Sequence, residues 1–241
     1  MTPPIALQLF TTRDEMDADV ENAIERVMDI GYRHVEVGAL HGSTPQLLLA
    51  CYDRLGLSIV SLHADYDTLE EDLPGQLEAA RTLGCRYVTC TSITPRLRNP
   101  KGYREAVALL SQCGARAADE GVTICYHNHS FEFERLDDST RGMDIMYADD
   151  QPPTYQAQLD VYWVAHGGDD PISWMRRLRG RLDLLHMKDM APGRRFTEVG
   201  CGTLDIAAIV TEADRTQVRV LIIEQDTDLG RIAAGIRPPQ L

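Results

Sequence analysis

GVTICYHNH (residues 121–129) opens on a glycine, runs through a short β-rich apolar segment and ends on two histidines around an asparagine. A glycine in that place suits a helix C-terminus, where the chain needs positive φ before it enters a strand. The same order recurs upstream. Gly31 precedes HVEVGA (34–39), Gly56 precedes SIVSLH (58–63) and Gly84 precedes YVTCTS (87–92). IALQLF (5–10), YQAQLD (155–160), LLHMKD (184–189) and VLIIEQ (220–225) are further strand candidates. Between them, apolar residues at i, i+3, i+4 spacing predict amphipathic helices. Val20, Ala23, Ile24 and Val27 form one stripe, Leu47, Leu48 and Cys51 a second, and Ala106, Leu109, Leu110 and Cys113 a third. Strand ends spaced roughly 30 residues apart fill the chain with eight βα units, as in a (β/α)₈ barrel. The expected fold is α/β, a (β/α)₈ TIM barrel forming one domain over residues 1–241.

A doubly wound sheet would carry a glycine-rich turn after its first strand. Here that turn is FTTRDE, without glycine, and Gly200-Cys201-Gly202 comes late and follows no strong strand. No Walker A sequence is present.

Lys and Arg total 24 against 37 Asp and Glu, a formal net charge of −13. Such a body repels phosphate backbones and anionic lipid, so nucleic acid and membrane partners are not expected. The four arginines of 175–181 read as a solvated helix face. The six cysteines contain no C-x-x-C pair, and Cys90 and Cys125 fall in apolar runs that suit buried thiols. Met1-Thr2-Pro3-Pro4 shows no signal-peptide features, and no apolar run is long enough for a membrane span, so a cytoplasmic location is expected.

Reactive side chains of such barrels gather at the C-terminal strand ends. Here those ends carry Glu36, His63, His127 with Asn128 and His129, Asp160, His186 with Lys188, and Glu224 with Asp226. Single loop-end His or Asp residues usually cap or face water; this many at one rim suggests chemistry. Imidazole and carboxylate suit Mn²⁺, Fe²⁺, Co²⁺ or Zn²⁺, and neighbouring strand ends could surround one ion.

YHNHSFEF (126–133), LDVYWVAHGG (159–168), LLHMKDM (184–190), FTEVGCGTLD (196–205) and IIEQD (222–226) resemble the xylose-isomerase-like sugar isomerase/epimerase superfamily. Within it they look most like the branch of inosose dehydratases and sugar-phosphate isomerase/epimerase-like proteins. LQLFTTRDE, GYRHVEVGAL and LGLSIVSLH extend the resemblance over almost the whole chain. It implies a divalent metal, manganese before Mg, Co, Fe or Zn, held by Asp160, His186, Glu224 and a residue at the fifth strand. The usual Glu there is replaced by His127, which puts a two-carboxylate epimerase mechanism in doubt. Glu132 is the alternative fourth ligand.

The implied chemistry is isomerisation or epimerisation of a keto-sugar or keto-polyol through a metal-stabilised enediolate. Dehydration of an inosose or keto-sugar, DNA-repair hydrolysis and non-catalytic sugar binding are the alternatives. Glu224, His129 and Lys188 are the candidate acid/base groups, with Lys188 also able to form a structural ion pair. Glu36 and His63 are candidate substrate contacts, with packing roles as the alternative, and Trp163 is a candidate pocket wall for the C–H face of a sugar or cyclitol. Asn128 is expected to face the helices. Arg194 and Arg195 read as exposed loop residues, and His34, His41 and His166 carry no assigned role. Pro238 and Pro239 predict a last helix that is short or missing, a gap that a homo-oligomeric neighbour could cover.

Overall fold

The computed structural model describes residues 3–136, 139–149 and 154–226. Eight parallel strands close into a barrel: β1 (Ile5–Gln8), β2 (His34–Val37), β3 (Ser58–Ala64), β4 (Tyr87–Cys90), β5 (Thr123–His127), β6 (Gln156–Asp160), β7 (Leu182–Met187) and β10 (Val220–Ile223). Between β7 and β10 stands a small antiparallel hairpin of β8 (Asp189–Ala191) and β9 (Arg195–Thr197). β10 pairs with both β7 and β1, which removes every open edge from the barrel.

The helices are α1 (Arg13–Ala18), α2 (Val20–Asp29), α3 (Pro45–Leu55), α4 (Tyr66–Leu83), α5 (Pro100–Ala118), α6 (Gly142–Met146), α7 (Val161–His166), α8 (Pro171–Arg177) and α9 (Ile206–Thr216). Local chemistry sets many of their ends. Thr44 and Asp65 cap α3 and α4 by accepting from backbone amides, and Gly56 and Gly84 end them at φ of 73° and 69°. Gly31 and Gly121 also adopt positive φ. The stretch where Pro238 and Pro239 predict a short or missing last helix lies outside the described residues.

Alternation along each strand divides the interior. Leu159, Leu185, Leu221 and Ile223 face the helices and join the main core, whereas Ala6, Tyr87, Cys125, Leu184, Val220 and Ile222 form a separate apolar cluster. By parity that cluster lies inside the barrel. The inward residues nearer the C-terminal ends are polar and still buried: Gln8, Glu36, Ser61, Thr89 and Gln158. An apolar plug with a polar layer above it therefore fills the barrel beneath its C-terminal mouth.

The regular strands are shorter than several runs in the sequence. β1, β2, β4, β5 and β10 each stop about two residues early, at Gln8, Val37, Cys90, His127 and Ile223. The expected α3 stripe is corrected as well. Leu48 and Tyr52 are buried, whereas Leu47 is 65% exposed. Nor is the arginine cluster uniformly solvated. Arg176 pairs with Glu212, but Arg181 packs its guanidinium over Tyr147 and Tyr155. Among the described residues, no helix is long and apolar enough to cross a membrane.

Candidate active site

His127 ends β5, Asp160 ends β6, His186 lies near the end of β7 and Glu224 immediately follows β10. One ligand-type atom from each lies within 4.8 Å of the others, and all four residues are buried. Strand parity explains the convergence: His127, Asp160, His186 and Glu224 share the inward phase of Cys125, Gln158, Leu184 and Ile222 respectively. Asn128 takes the other phase, and its Oδ1 accepts from the Asp160 backbone amide at 3.0 Å, tying two strand ends together.

Below the cluster, Glu36 Oε1 accepts from His186 Nε2 at 2.7 Å and from Gln8 Nε2 at 2.7 Å. His63 Nε2 lies 2.9 Å from the same oxygen. Glu36 Oε2 accepts from Gln158 Nε2 at 2.5 Å, and Gln158 Oε1 faces His127 Nδ1 at 3.1 Å. Glu36 is wholly buried, so it lies beneath the imidazoles and presents no surface to a substrate, in line with the packing alternative and not with substrate contact. Burial opposes its charge, but the His63 and His186 imidazoles hold its pKa well below the usual carboxylate range. Burial likewise opposes charge on His186, yet Glu36 and Glu224 keep its pKa up at about 10.

Lys188 enters from the end of β7 and is 1% exposed. Its Nζ lies 2.7 Å from Glu224 Oε2, 3.0 Å from Asp160 Oδ2 and 2.9 Å from Asp226 Oδ2. Burial would drive the proton off, but these carboxylates outweigh it and raise the pKa. Asp226 is pushed up to about 6 by burial, against the pull of Lys188. Its pairing with Lys188 has no local sequence signal, since the two lie 38 positions apart.

A cavity of about 290 Å³ opens beside this cluster, lined by residues including Phe10, His63, Thr91, His129, Lys188 and Glu224. His129 Nδ1 is buried on this cavity without a hydrogen-bond partner; Trp163 Nε1, behind it, is also buried and unpartnered, the two rings 5.5 Å apart. Burial, then the charge of Lys188, lowers the His129 pKa to about 4, so the ring is neutral. Lys188 Nζ sits 5.7 Å from the Trp163 ring centroid. Phe10, Gly38 and Thr91 gave no signal in the sequence, because they reach the mouth only through loop geometry.

Glu132 lies apart from the cluster. Its Oε1 accepts from Tyr126 Oη at 2.6 Å and its Oε2 from the His129 amide at 2.9 Å. The glycines at 200 and 202 also find a local purpose. The Asp189 carboxylate accepts from the amides of Met190, Gly200, Gly202 and Leu204. A Cβ at Gly202 would stand 2.2 Å from Asp189 Oδ1, so only glycine lets the loop wrap that closely. Arg194 Nη1 donates to the His166 carbonyl, which fastens the hairpin to α7.

Two imidazoles and two carboxylates form a donor set suited to a divalent transition metal. Asp160 Oδ2 is buried with no hydrogen bond, the Lys188 ammonium being 3.0 Å away but off its bonding direction. Buried Glu36, Asp160 and Glu224, with half-buried Asp226, also bring more carboxylates than the cations Lys188 and His186 can balance. A divalent ion fits these residues.

A parallel eight-stranded barrel with an inward-facing His, Asp, His and Glu at its C-terminal mouth defines a TIM barrel with a candidate metal centre. More specifically, the chain belongs to the xylose isomerase-like TIM barrel family, whose model matches residues 24–237. It is 22% identical over 194 residues to an inosose dehydratase of Geobacillus kaustophilus, covering 70% of this chain and 62% of that protein, less than two thirds of its length. An inosose dehydratase of Mesomycoplasma hyopneumoniae is 20% identical over 208 residues, 76% of this chain and 68% of that one. A crystal structure described as a sugar phosphate isomerase/epimerase, from Parabacteroides distasonis, superposes with a TM-score of 0.83. It is 21% identical, and the match covers 98% of this chain and 95% of that one.

Proposed function

We propose that this chain is a divalent-metal-dependent enzyme that removes the proton next to the carbonyl of a keto-sugar or keto-polyol. Returning the proton elsewhere gives isomerisation or epimerisation; loss of a β-hydroxyl gives dehydration. The observation that carries this reading is the convergence of His127, Asp160, His186 and Glu224 at the barrel mouth. These four would hold the ion, manganese being the first expectation. When bound, the ion supplies Lewis acidity to the substrate carbonyl and acidifies the neighbouring C–H.

The remaining work falls to side chains around the cavity. His129 is neutral, and its partnerless Nδ1 can accept the carbon-bound proton. Lys188, held protonated by its carboxylates, donates to an oxygen on which negative charge develops. Glu224, held well below the usual carboxylate range by Lys188 and His186 against burial, is the second proton acceptor. Trp163, whose ring lies 5.5 Å from that of His129, would offer a flat face to the C–H side of a ring, and His63 lines the cavity where it can contact substrate hydroxyls. Six unpaired cysteines support a reducing, cytoplasmic setting.

Dehydration is the favoured second reading. An imidazole replaces the carboxylate implied at the β5 end, so a symmetric shuttle between two glutamates is lacking. Unlike groups such as His129 and Lys188 suit elimination, in which one takes a proton and the other assists the departing hydroxyl. The inosose dehydratase relatives support the same direction.

Incubation with 2-keto polyols, inososes and free ketoses in D₂O tests both readings through exchange of the α-proton, followed by NMR. The expected result is metal-dependent exchange with at least one of these classes, abolished by chelation. No bound metal in the purified protein, together with exchange unaffected by chelator, would reject the mechanism.

A further inference from the structure

We propose that Glu36 is the positioning residue of the candidate metal centre, setting the ring tautomers of both imidazole ligands from beneath. This inference rests on the metal reading above and extends it to a residue outside the cluster of His127, Asp160, His186 and Glu224, although Glu36 groups with His63 and His186 beneath it.

The direction of each hydrogen bond can be worked out from a fixed point. The Phe10 backbone N–H, which can only donate, binds Gln8 Oε1 at 2.9 Å. Gln8 must therefore turn its amide nitrogen toward Glu36, making Glu36 Oε1 an acceptor. The same oxygen meets His186 Nε2 at 2.7 Å, so that nitrogen carries a proton. The other ring nitrogen, Nδ1, faces Glu224 Oε2 at 2.9 Å and also holds a proton there; an ion held by Glu224 would take that proton's place, leaving the Nε2 proton on Glu36.

Glu36 reaches His127 through one intermediary. Its Oε2 takes the amide nitrogen of Gln158 at 2.5 Å, which turns Gln158 Oε1 toward His127. A carbonyl oxygen can only accept, so the proton of neutral His127 is on Nδ1, 3.1 Å away. His127 Nε2 is then bare and lies on the side of Asp160 Oδ2, 3.9 Å distant. An imidazole binds a metal only through a nitrogen without a proton, and a carboxylate or carbonyl behind the other nitrogen fixes which one that is. One carboxylate thus selects Nδ1 of His186 and Nε2 of His127. A Gln at position 36 would present an amide N–H₂ to at least one of these donors and scramble the relay.

Long-range ¹H–¹⁵N correlation spectra of the Zn²⁺-loaded wild-type protein read the tautomers without any substitution. The expected pattern is a proton on Nε2 of His186 and on Nδ1 of His127; the reverse at either ring overturns the proposal. For Glu36→Gln, Co²⁺ affinity should fall about 10–100-fold, the usual effect of losing such a partner. Its Co²⁺ visible spectrum should also change, which a purely structural role would not require. Wild-type affinity with an unchanged spectrum overturns the proposal while leaving the metal reading intact. Wild-type protein that binds neither Zn²⁺ nor Co²⁺ overturns both.

Discussion

The Lys188 ammonium lies 2.7 Å from Glu224 Oε2 and 3.0 Å from Asp160 Oδ2, so one protein cation is shared by two carboxylates assigned to the metal. A lysine and an ion then compete for the same oxygens. Lys188→Met keeps the apolar stem and removes the charge, and should tighten Mn²⁺ binding in calorimetric titration. Without metal, the unpaired carboxylates should cost about 3–5 kcal/mol of stability in urea unfolding. Saturating Mn²⁺ should recover part of that. Weaker metal binding in the variant would mean that Lys188 supports the ion and does not compete with it.

His129→Ala removes the neutral imidazole proposed to accept the substrate proton. Turnover should drop ~10²-fold or more, the scale of a lost general base. Metal content measured by elemental analysis should stay unchanged, because His129 is outside the four-residue cluster. Full turnover in this variant would remove His129 from the mechanism.

Glu132 gives a prediction for stability against pH. Burial raises its pKa to about 7, above the ordinary value near 4.5, even with Tyr126 and the His129 amide as donors. The folded state therefore prefers the protonated carboxyl. Its contribution is fully present below pH 4.5 and is lost as pH rises through about 7, a change of about 3 kcal/mol. Glu132→Gln should flatten that part of the profile in urea unfolding at pH 5 and pH 8. An unchanged slope would assign the pH dependence to another group.

Asp189→Ala should free the loop that carries Gly200 and Gly202. Four backbone amides lose a charged acceptor, and an expected cost of about 3 kcal/mol or more follows from bonds of that kind. Hydrogen exchange at Gly200, Gly202 and Leu204 should accelerate before global unfolding does. Unaltered protection would show that the hairpin and α9 hold the loop without Asp189.

The repeating part of this protein is written locally. Glycine at helix ends, alternation within strands and helical stripes are properties of short segments, and they determined a parallel α/β barrel before any contact was known. The same parity put His127 and His129 on one phase of the chain and Asn128 on the other. It also brought His186, Asp160 and Glu224 to a common rim once the strands were taken in barrel order. Tertiary structure decided what no segment could encode. Glu36 meets Gln8, Gln158 and His186 across separations of 28, 122 and 150 residues, and only barrel closure makes them neighbours. Leu47 and Leu48 look alike in sequence, but only the packing of α3 selects which one is buried. Glu132 was a reasonable ligand by type, yet the turn after β5 gives its oxygens to Tyr126 and the His129 amide. Side-chain chemistry is thus legible one residue at a time, whereas hydrogen-bond partners, burial and charge balance belong to distant strands that meet only in the closed barrel.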